Sequence, residues 1–316
     1  MSEFNLIKKH FTRPSKHTNL SVGDDCALVR VAEGMQLAIS TDMLVAGTHF
    51  LHDCAPYDIG WKTLAVNVSD MAAMGANAKW ATLAIALPSV DEAWLVEFSR
   101  GFFACAEAFN IDLIGGDTTR GPLNISVTIL GEVPIGAALQ RSGAKIGDDI
   151  WVSGQLGSAA LGLAHLQNIK RAPQNALPDC LTRLHTPTPR AALGLALRGI
   201  ATSCIDVSDG LLADLGHILK ASNCGAALYL EKIPCIDYFK NDLDNAQIRQ
   251  MLLAGGDDYE LCFSAPKIKC EEINLLSKQL NLAITCIAST RTDIGLQVYY
   301  ENKQITLKKQ GFDHFA

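Results

Sequence analysis

Six short acidic motifs run the length of the sequence: GDD at 23–25, STD at 40–42, NVSD at 67–70, GGD at 115–117, DVSD at 206–209 and GGDDYE at 255–260. They hold nine of the 22 aspartates, so the acid is gathered into a few places. Aspartate in a glycine-rich turn adds little to packing. It suits Mg²⁺, which takes hard oxygen ligands and is usually shared between one or two carboxylates and a substrate phosphate. Each motif alone is weak: GGD marks an ordinary turn, and STD or NVSD reads equally well as a helix cap. Six together would be costly decoration, because adjacent carboxylates repel unless cations or hydrogen bonds compensate. The chemistry they indicate is phosphoryl transfer.

The net charge of −6 and the lack of any basic run argue against unspecific nucleic-acid binding. The same charge poses a problem, since an acidic site repels a phosphorylated ligand unless cations intervene. Familiar nucleotide motifs are missing: there is no GxxxxGKS/T and no protein-kinase HRD with DFG. The loop GQLGSAALG at 154–162 does not match GxGxxG, and leaves two readings open, a backbone cradle for phosphate or close strand–helix packing. No histidine cluster suggests zinc. His49 follows Asp42 by seven residues, in AGTHF, within reach of a shared site, although a structural hydrogen bond is the plainer role for a lone histidine. The ten cysteines are scattered singly, without a CxxC pair, and MSEFNLIKKHF does not read as a signal peptide. Reduced thiols and a cytoplasmic location are expected. No apolar run reaches the roughly 18–20 residues of a membrane span, so no membrane partner is expected.

These motifs need elements to position them. A chain of 316 residues, 48% hydrophobic and 19% charged, suits two well-filled globular domains. Apolar runs at 37–40, 80–87, 125–133, 150–153, 226–230 and 260–264 read as strands. Residues 91–110 read as a helix, with Leu95, Phe98, Phe102, Ala106 and Phe109 at helical spacing and Asp91 at its start. Residues 210–222 and 268–280 read likewise, and the class is α/β or α+β. The glycine-rich stretch 134–149 is the expected boundary, giving domains 1–136 and 147–316. Residues 170–189, with four prolines, read as a long loop. VNVSDMAAMG at 66–75 and IDVSDGLLADLG at 205–216 both read as a buried strand ending in Ser-Asp, followed by a helix that Ser or Asp caps.

In order, GDDCA, STDMLVAGTHF, NVSDMAAMGA, LIGGDTTRG, DVSDGL, GGDDYEL and the terminal GFDHF resemble the thiamine-monophosphate kinase family. That family is similar to a wider ATP-binding superfamily with aminoimidazole ribonucleotide synthetase, selenophosphate synthetase and a hydrogenase-maturation protein. VAGTHF, GGDDYEL and GFDHF favour the thiamine branch. There is no reactive cysteine in a glycine-rich loop near the N-terminus, as selenophosphate synthetase would have, and no C-terminal cysteine, as the hydrogenase-maturation branch would have.

The resemblance implies transfer of a phosphoryl group from ATP to thiamine monophosphate, the last step of thiamine diphosphate synthesis, with several Mg²⁺ ions. It implies an N-terminal ATP- and Mg²⁺-binding α/β domain whose sheet pairs across a homodimer. A C-terminal α/β domain would complete the active site. By position, Asp25, Asp42, Asp70, Asp117 and Asp206 resemble Mg²⁺ ligands, with Ser40 and Thr41 adding oxygens and Asp209 holding a further ion. Gly116, Asp117, Arg141 and Ser208 resemble ATP contacts, and His49, Glu260 and Phe312 resemble thiamine-phosphate contacts. No adenine pocket is identified. The nucleophile would be a phosphate oxygen already ionised at neutral pH, so no general base is expected. The barrier is repulsion: two unit charges about 4 Å apart cost roughly 4 kcal/mol at an effective dielectric near 20. Bound cations offset that, which answers the charge problem. Two other readings stay open: the same ATP chemistry on another acceptor, such as formylglycinamidine ribonucleotide, and a cation- or nucleotide-binding protein without catalysis.

Overall fold

The computed structural model describes residues 3–315. Contacts divide the chain into two compact units, one comprising residues up to 71 with Ala76–Gly136, the other Ala72–Gly75 with the chain from Ala137 onward.

The first unit runs α1 (Glu3–His10), β1 (Met35–Val45), α2 (Pro56–Ala73), β2 (Asn77–Leu87), α3 (Glu92–Phe109), β3 (Asp112–Arg120) and β4 (Asn124–Pro134). Its sheet has the order β1-β4-β2-β3, with β2 and β3 parallel and the other pairs antiparallel. Strand alternation sorts the residues: Leu44, Leu83, Ile85, Ile125, Val127 and Ile129 are buried, while Ile39 and Met43 are exposed. Helix α3 forms as its spacing predicts. Asp91 accepts hydrogen bonds from the N–H groups of Ala93 (3.0 Å) and Trp94 (3.2 Å), and Leu95, Phe98, Phe102 and Ala106 are buried.

The acidic motifs of this unit are not loops at strand ends, apart from GDD. The strand read at 37–40 extends over 11 residues, so Ser40, Thr41 and Asp42 lie inside β1. Gly115, Gly116 and Asp117 lie inside β3. Alternation makes room for such polar residues, because a strand with one open face tolerates them there. The strand-then-helix reading of 66–75 is also corrected: Val66 to Asp70 form the last turns of α2. Leu64, Ala65, Val66, Val68, Met71 and Ala72 are all buried, and a helix buried on every side looks like a continuous apolar strand. The N–H groups of Gly75 and Ala76 then close the helix on the carbonyls of Ala72 and Met71 (3.0 and 2.8 Å).

The second unit runs β5 (Asp149–Ser153), α4 (Ser158–Leu166), α5 (Leu177–His185), α6 (Ala191–Ala196), β6 (Ser203–Val207), α7 (Leu211–Ala221), β7 (Gly225–Tyr229), α8 (Asp237–Lys240), α9 (Ala246–Ala254), β8 (Glu260–Ala265), α10 (Cys270–Gln279), β9 (Ile284–Arg291), β10 (Gly295–Tyr300) and β11 (Lys303–Ile305). The sheet order is β11-β10-β7-β9-β5-β8-β6. Both faces are covered: Ile150, Val152, Ile205, Val207 and Cys262 pack with α7 in one core, and Trp151, Cys204, Leu261 and Phe263 pack with Ile273 in another. This is a layered α/β arrangement. The supposed loop at 170–189 contains α5. Proline at its first turn removes an N–H that has no helical partner anyway, and Cys180 and Leu184 are buried four residues apart. Among the described residues no helix is long and apolar enough to cross a membrane.

Candidate functional site

In the first unit, the polar residues of β1 meet the last turns of α2. The Ser40 hydroxyl donates to the Asp70 carboxylate. Asn67, fully buried, accepts the Asp42 N–H at 3.3 Å and donates to the Thr63 carbonyl at 3.0 Å. The alignment of Ser40, Asp42 and Asp70 thus depends on a helix, where the sequence suggested a strand. Thr41 lies on the other face of β1, its hydroxyl sharing a hydrogen bond with Thr128 at 2.9 Å. His49 sits in the turn after β1, and its Nδ1 accepts the Val45 N–H at 3.0 Å. That bond assigns the neutral ring's proton to Nε2.

A second group surrounds a cleft of about 910 Å³. Its lining includes Asp24, Asp25, Gly116 and Asp117 together with Phe4 and Ile7 of α1, Phe11 just after that helix, Val22, Leu113 and Ile114. Gly116 has φ 149°, and a Cβ there would fall 1.8 Å from the Leu83 carbonyl oxygen. No side chain fits this position, so the backbone of β3 is bare beside Asp117. Apolar and acidic side chains lining one cleft suit a ligand with a flat ring and a polyanionic tail bridged by cations.

In the second unit, five expected site residues gather around the turn between β6 and α7. Asp206 is buried, Ser208 and Asp209 are half-buried, and Arg141 and Phe312 come to the turn from distant parts of the chain. The Phe312 N–H donates to the Asp209 carbonyl at 3.0 Å, and its ring stands edge-on to His314 at 4.8 Å. Burial raises the Asp209 carboxyl pKa above its ordinary value, as does Asp257, while His314, His217 and Arg141 pull it down. The helix cap differs from expectation. Neither Ser208 nor Asp209 caps α7; Gly210 holds the N-cap position and offers no side chain. Instead Asp214, on the first turn of α7, reaches back to the turn.

Glu260 is placed apart. Its partner across the β6–β8 ladder is Val207, so it points to the face opposite Asp206. Glu260 is fully buried; it accepts from Arg190 Nε (2.6 Å) and Nη2 (2.5 Å) and from the Ser153 hydroxyl (2.6 Å). Arg183 Nη1 lies 3.6 Å away. The preceding GGDDY segment is strained, with Asp257 at φ 70° and Tyr259 at φ 49°. The Asp258 carboxylate accepts the Gly157 N–H at the start of α4 (2.9 Å to the nearer oxygen). That contact resolves the two readings of GQLGSAALG: the loop's N–H faces the protein's own carboxylate and serves packing. Asn67, Asp214 and Arg190 were missed in the sequence. Only Asp214 carried a signal, an acid four residues beyond a glycine turn at a helix start.

Residues 23–133 match the family described as AIR synthase related protein, N-terminal domain, and residues 145–276 match its C-terminal domain. Two α/β units with an acidic cleft therefore define the ATP-binding class to which aminoimidazole ribonucleotide synthetase relatives belong. The thiamine-monophosphate kinase of Salmonella typhimurium is 47% identical over 99% of this chain and 98% of its own. The crystal structure of thiamine-monophosphate kinase from Stenotrophomonas maltophilia is similar at 42% identity and a TM-score of 0.85, covering 96% of each chain. The structure of AaThiL complexed with AMPPCP and TMP is similar at 30% identity and a TM-score of 0.78, covering 99% of this chain and 96% of that one. The chain belongs to the thiamine-monophosphate kinase family of phosphotransferases.

Proposed function

We propose that this enzyme transfers the γ-phosphoryl group of ATP to thiamine monophosphate, giving thiamine diphosphate and ADP, the last step of thiamine diphosphate synthesis. The observation that carries the reading is the cleft beside β3, which joins an apolar wall to Asp25, Gly116 and Asp117. The adenine ring of ATP would lie against Phe4, Ile7 and Phe11, with its phosphates toward the aspartates and the exposed backbone at Gly116. The relative complexed with AMPPCP and TMP supports this ligand pair.

The donor set fits Mg²⁺. Asp25, Asp42, Asp70, Asp117, Asp206 and Asp209, with the Ser40 hydroxyl, supply only hard oxygens; Thr41, whose hydroxyl turns to Thr128 on the other face of β1, could add only its backbone carbonyl. When bound, Mg²⁺ screens the phosphate charges and lowers the cost of bringing two anions together. The chain's own groups do the rest. Asn67 and Asp70 fix β1 at Asp42 and Ser40. Arg141 and Ser208 hold the nucleotide phosphates. His49 offers its Nε2–H to the substrate phosphate, and Phe312, which is 48% exposed, offers a ring face to the cationic thiazolium. The acceptor oxygen arrives ionised, so direct in-line attack needs no proton removed by the protein. Glu260 would meet thiamine only at the rim of the Arg190 pair, and its first task is to hold that guanidinium.

The homodimer is part of the proposal. The outer face of β1 shows Ile39 at 61% and Met43 at 54% exposure, the apolar surface a second sheet would cover. The ten free cysteines suit a reducing cytoplasm. The test is chromatographic: purified protein with ATP, Mg²⁺ and thiamine monophosphate should yield thiamine diphosphate and ADP in equal amounts, and EDTA should stop it. ATP consumption on another acceptor, with none on thiamine monophosphate, overturns the substrate assignment.

A further inference from the structure

We propose that Asp214 is the positioning residue that makes the turn at 206–210 select cations and refuse phosphate. The inference rests on the reading of Asp209 as a Mg²⁺ ligand. A turn that opens an 11-residue helix ordinarily does the reverse. Its free N–H groups and the helix dipole attract anions, which is how glycine-rich loops elsewhere hold phosphates. Here one carboxylate oxygen of Asp214 accepts three successive backbone N–H groups, those of Ser208, Asp209 and Gly210, each at 3.1 Å. Asp214 is 3% exposed, so this contact lies beneath the turn and out of water. The place that an anion would take in such a nest is already filled by a carboxyl group of the chain itself.

The remaining polar groups of the turn are fixed as well. The Val207, Ser208 and Asp209 carbonyls accept the N–H groups of Tyr259 (2.8 Å), Asp257 (2.9 Å) and Phe312 (3.0 Å). Gly210 has φ 116°, and a Cβ on it would come within 2.8 Å of the Ala254 backbone, so the turn cannot relax by substitution there. With its N–H groups turned inward and its carbonyls engaged, the turn can offer a ligand only side chains, and those are Asp206, Ser208 and Asp209. Removing Asp214 releases three N–H donors beside Asp209. The site should then lose preference for Mg²⁺ and gain one for inorganic phosphate.

The test compares wild type, Asp214→Ala, Asp214→Asn and Asp209→Asn as full chains at pH 8. Two measurements are made: the Mg²⁺ concentration for half-maximal turnover, and the thermal shift produced by Mg²⁺ alone and by inorganic phosphate alone. Partners that orient metal ligands typically contribute tenfold to a hundredfold to metal affinity or activity. Asp214→Ala should raise the Mg²⁺ requirement at least about tenfold, shrink the Mg²⁺ thermal shift, and create a phosphate shift that Asp209→Asn does not show. Asp214→Asn keeps the volume and one acceptor, and should fall between. If Asp214→Ala does not fold, Asp214→Asn decides the same comparison. A Mg²⁺ requirement within twofold of wild type in both Asp214 variants, with Asp209→Asn impaired, overturns the inference alone. An unimpaired Asp209→Asn overturns the metal role of the turn, and the inference with it.

Discussion

Replacing Arg190 with methionine tests what holds the second unit's central strands together. Arg190 supplies two of the three short hydrogen bonds to Glu260, at 2.6 and 2.5 Å, and Glu260 has no solvent exposure. Once Arg190 is gone, the carboxylate keeps the Ser153 hydroxyl at 2.6 Å and Arg183 at 3.6 Å. Breaking a buried pair by removing one partner costs about 3–5 kcal/mol. The residual Arg183 charge places this case near the lower end, about 3 kcal/mol. For a unit of this size that is roughly 6–12 °C in melting temperature. Thermal melts and urea titrations followed by circular dichroism measure it. Replacing both partners with apolar residues is often neutral, so the Arg190→Met, Glu260→Met double variant should recover much of the loss. A single variant within 1 kcal/mol of wild type, ~0.2 of a typical minimum stability, or a double variant no better than the single, would refute the reasoning.

Asp42→Asn and Asp117→Asn should each lower turnover at least 100-fold, since both remove a charge proposed to hold metal, while circular dichroism stays unchanged; full activity in both removes the metal reading. Cys26 is exposed and lines the cleft proposed for the nucleotide. Mg²⁺ and ATP should therefore slow its alkylation by iodoacetamide several-fold, read by peptide mass spectrometry, and an unchanged rate would show that nucleotide binds elsewhere. Burial pushes the buried thiols of Cys180 and Cys235 up to about 11 from 9.0. Their folded pKa is raised, so their contribution is complete below pH 9 and is lost as pH climbs toward 11. In reducing buffer, each of the two should cost about 1 kcal/mol of stability between pH 9 and 10, on top of the fall from the other buried thiols, and Cys180→Ala should lessen the total fall by about that amount; a fall unchanged in the variant would contradict it.

The strands at 80–87, 150–153 and 260–264 and the helix at 91–110 were legible because their apolar residues follow local periods of two or 3.6. The segment 66–75 was not, because a helix buried all round shows no polar face to betray its period. Helix α5 was hidden by the prolines in and around it, of which only Pro178 lies within the helix, in its first turn where it is tolerated.

What the sequence determined by itself was the chemistry on offer. Aspartates in glycine-rich motifs, no lysine loop and the order of those motifs are local facts, and they identify the family without coordinates. Which side chains act together was decided only by tertiary structure. Ser40 meets Asp70 across 30 residues, and Phe312 meets Asp209 across about a hundred, through a strand register and a backbone hydrogen bond that no local pattern encodes. Glu260 and Asp206 look alike as acids beside apolar strands, yet one-residue alternation sends them to opposite faces of a sheet. Arg190 takes up the first, and the second lies at the turn that Asp214 shapes.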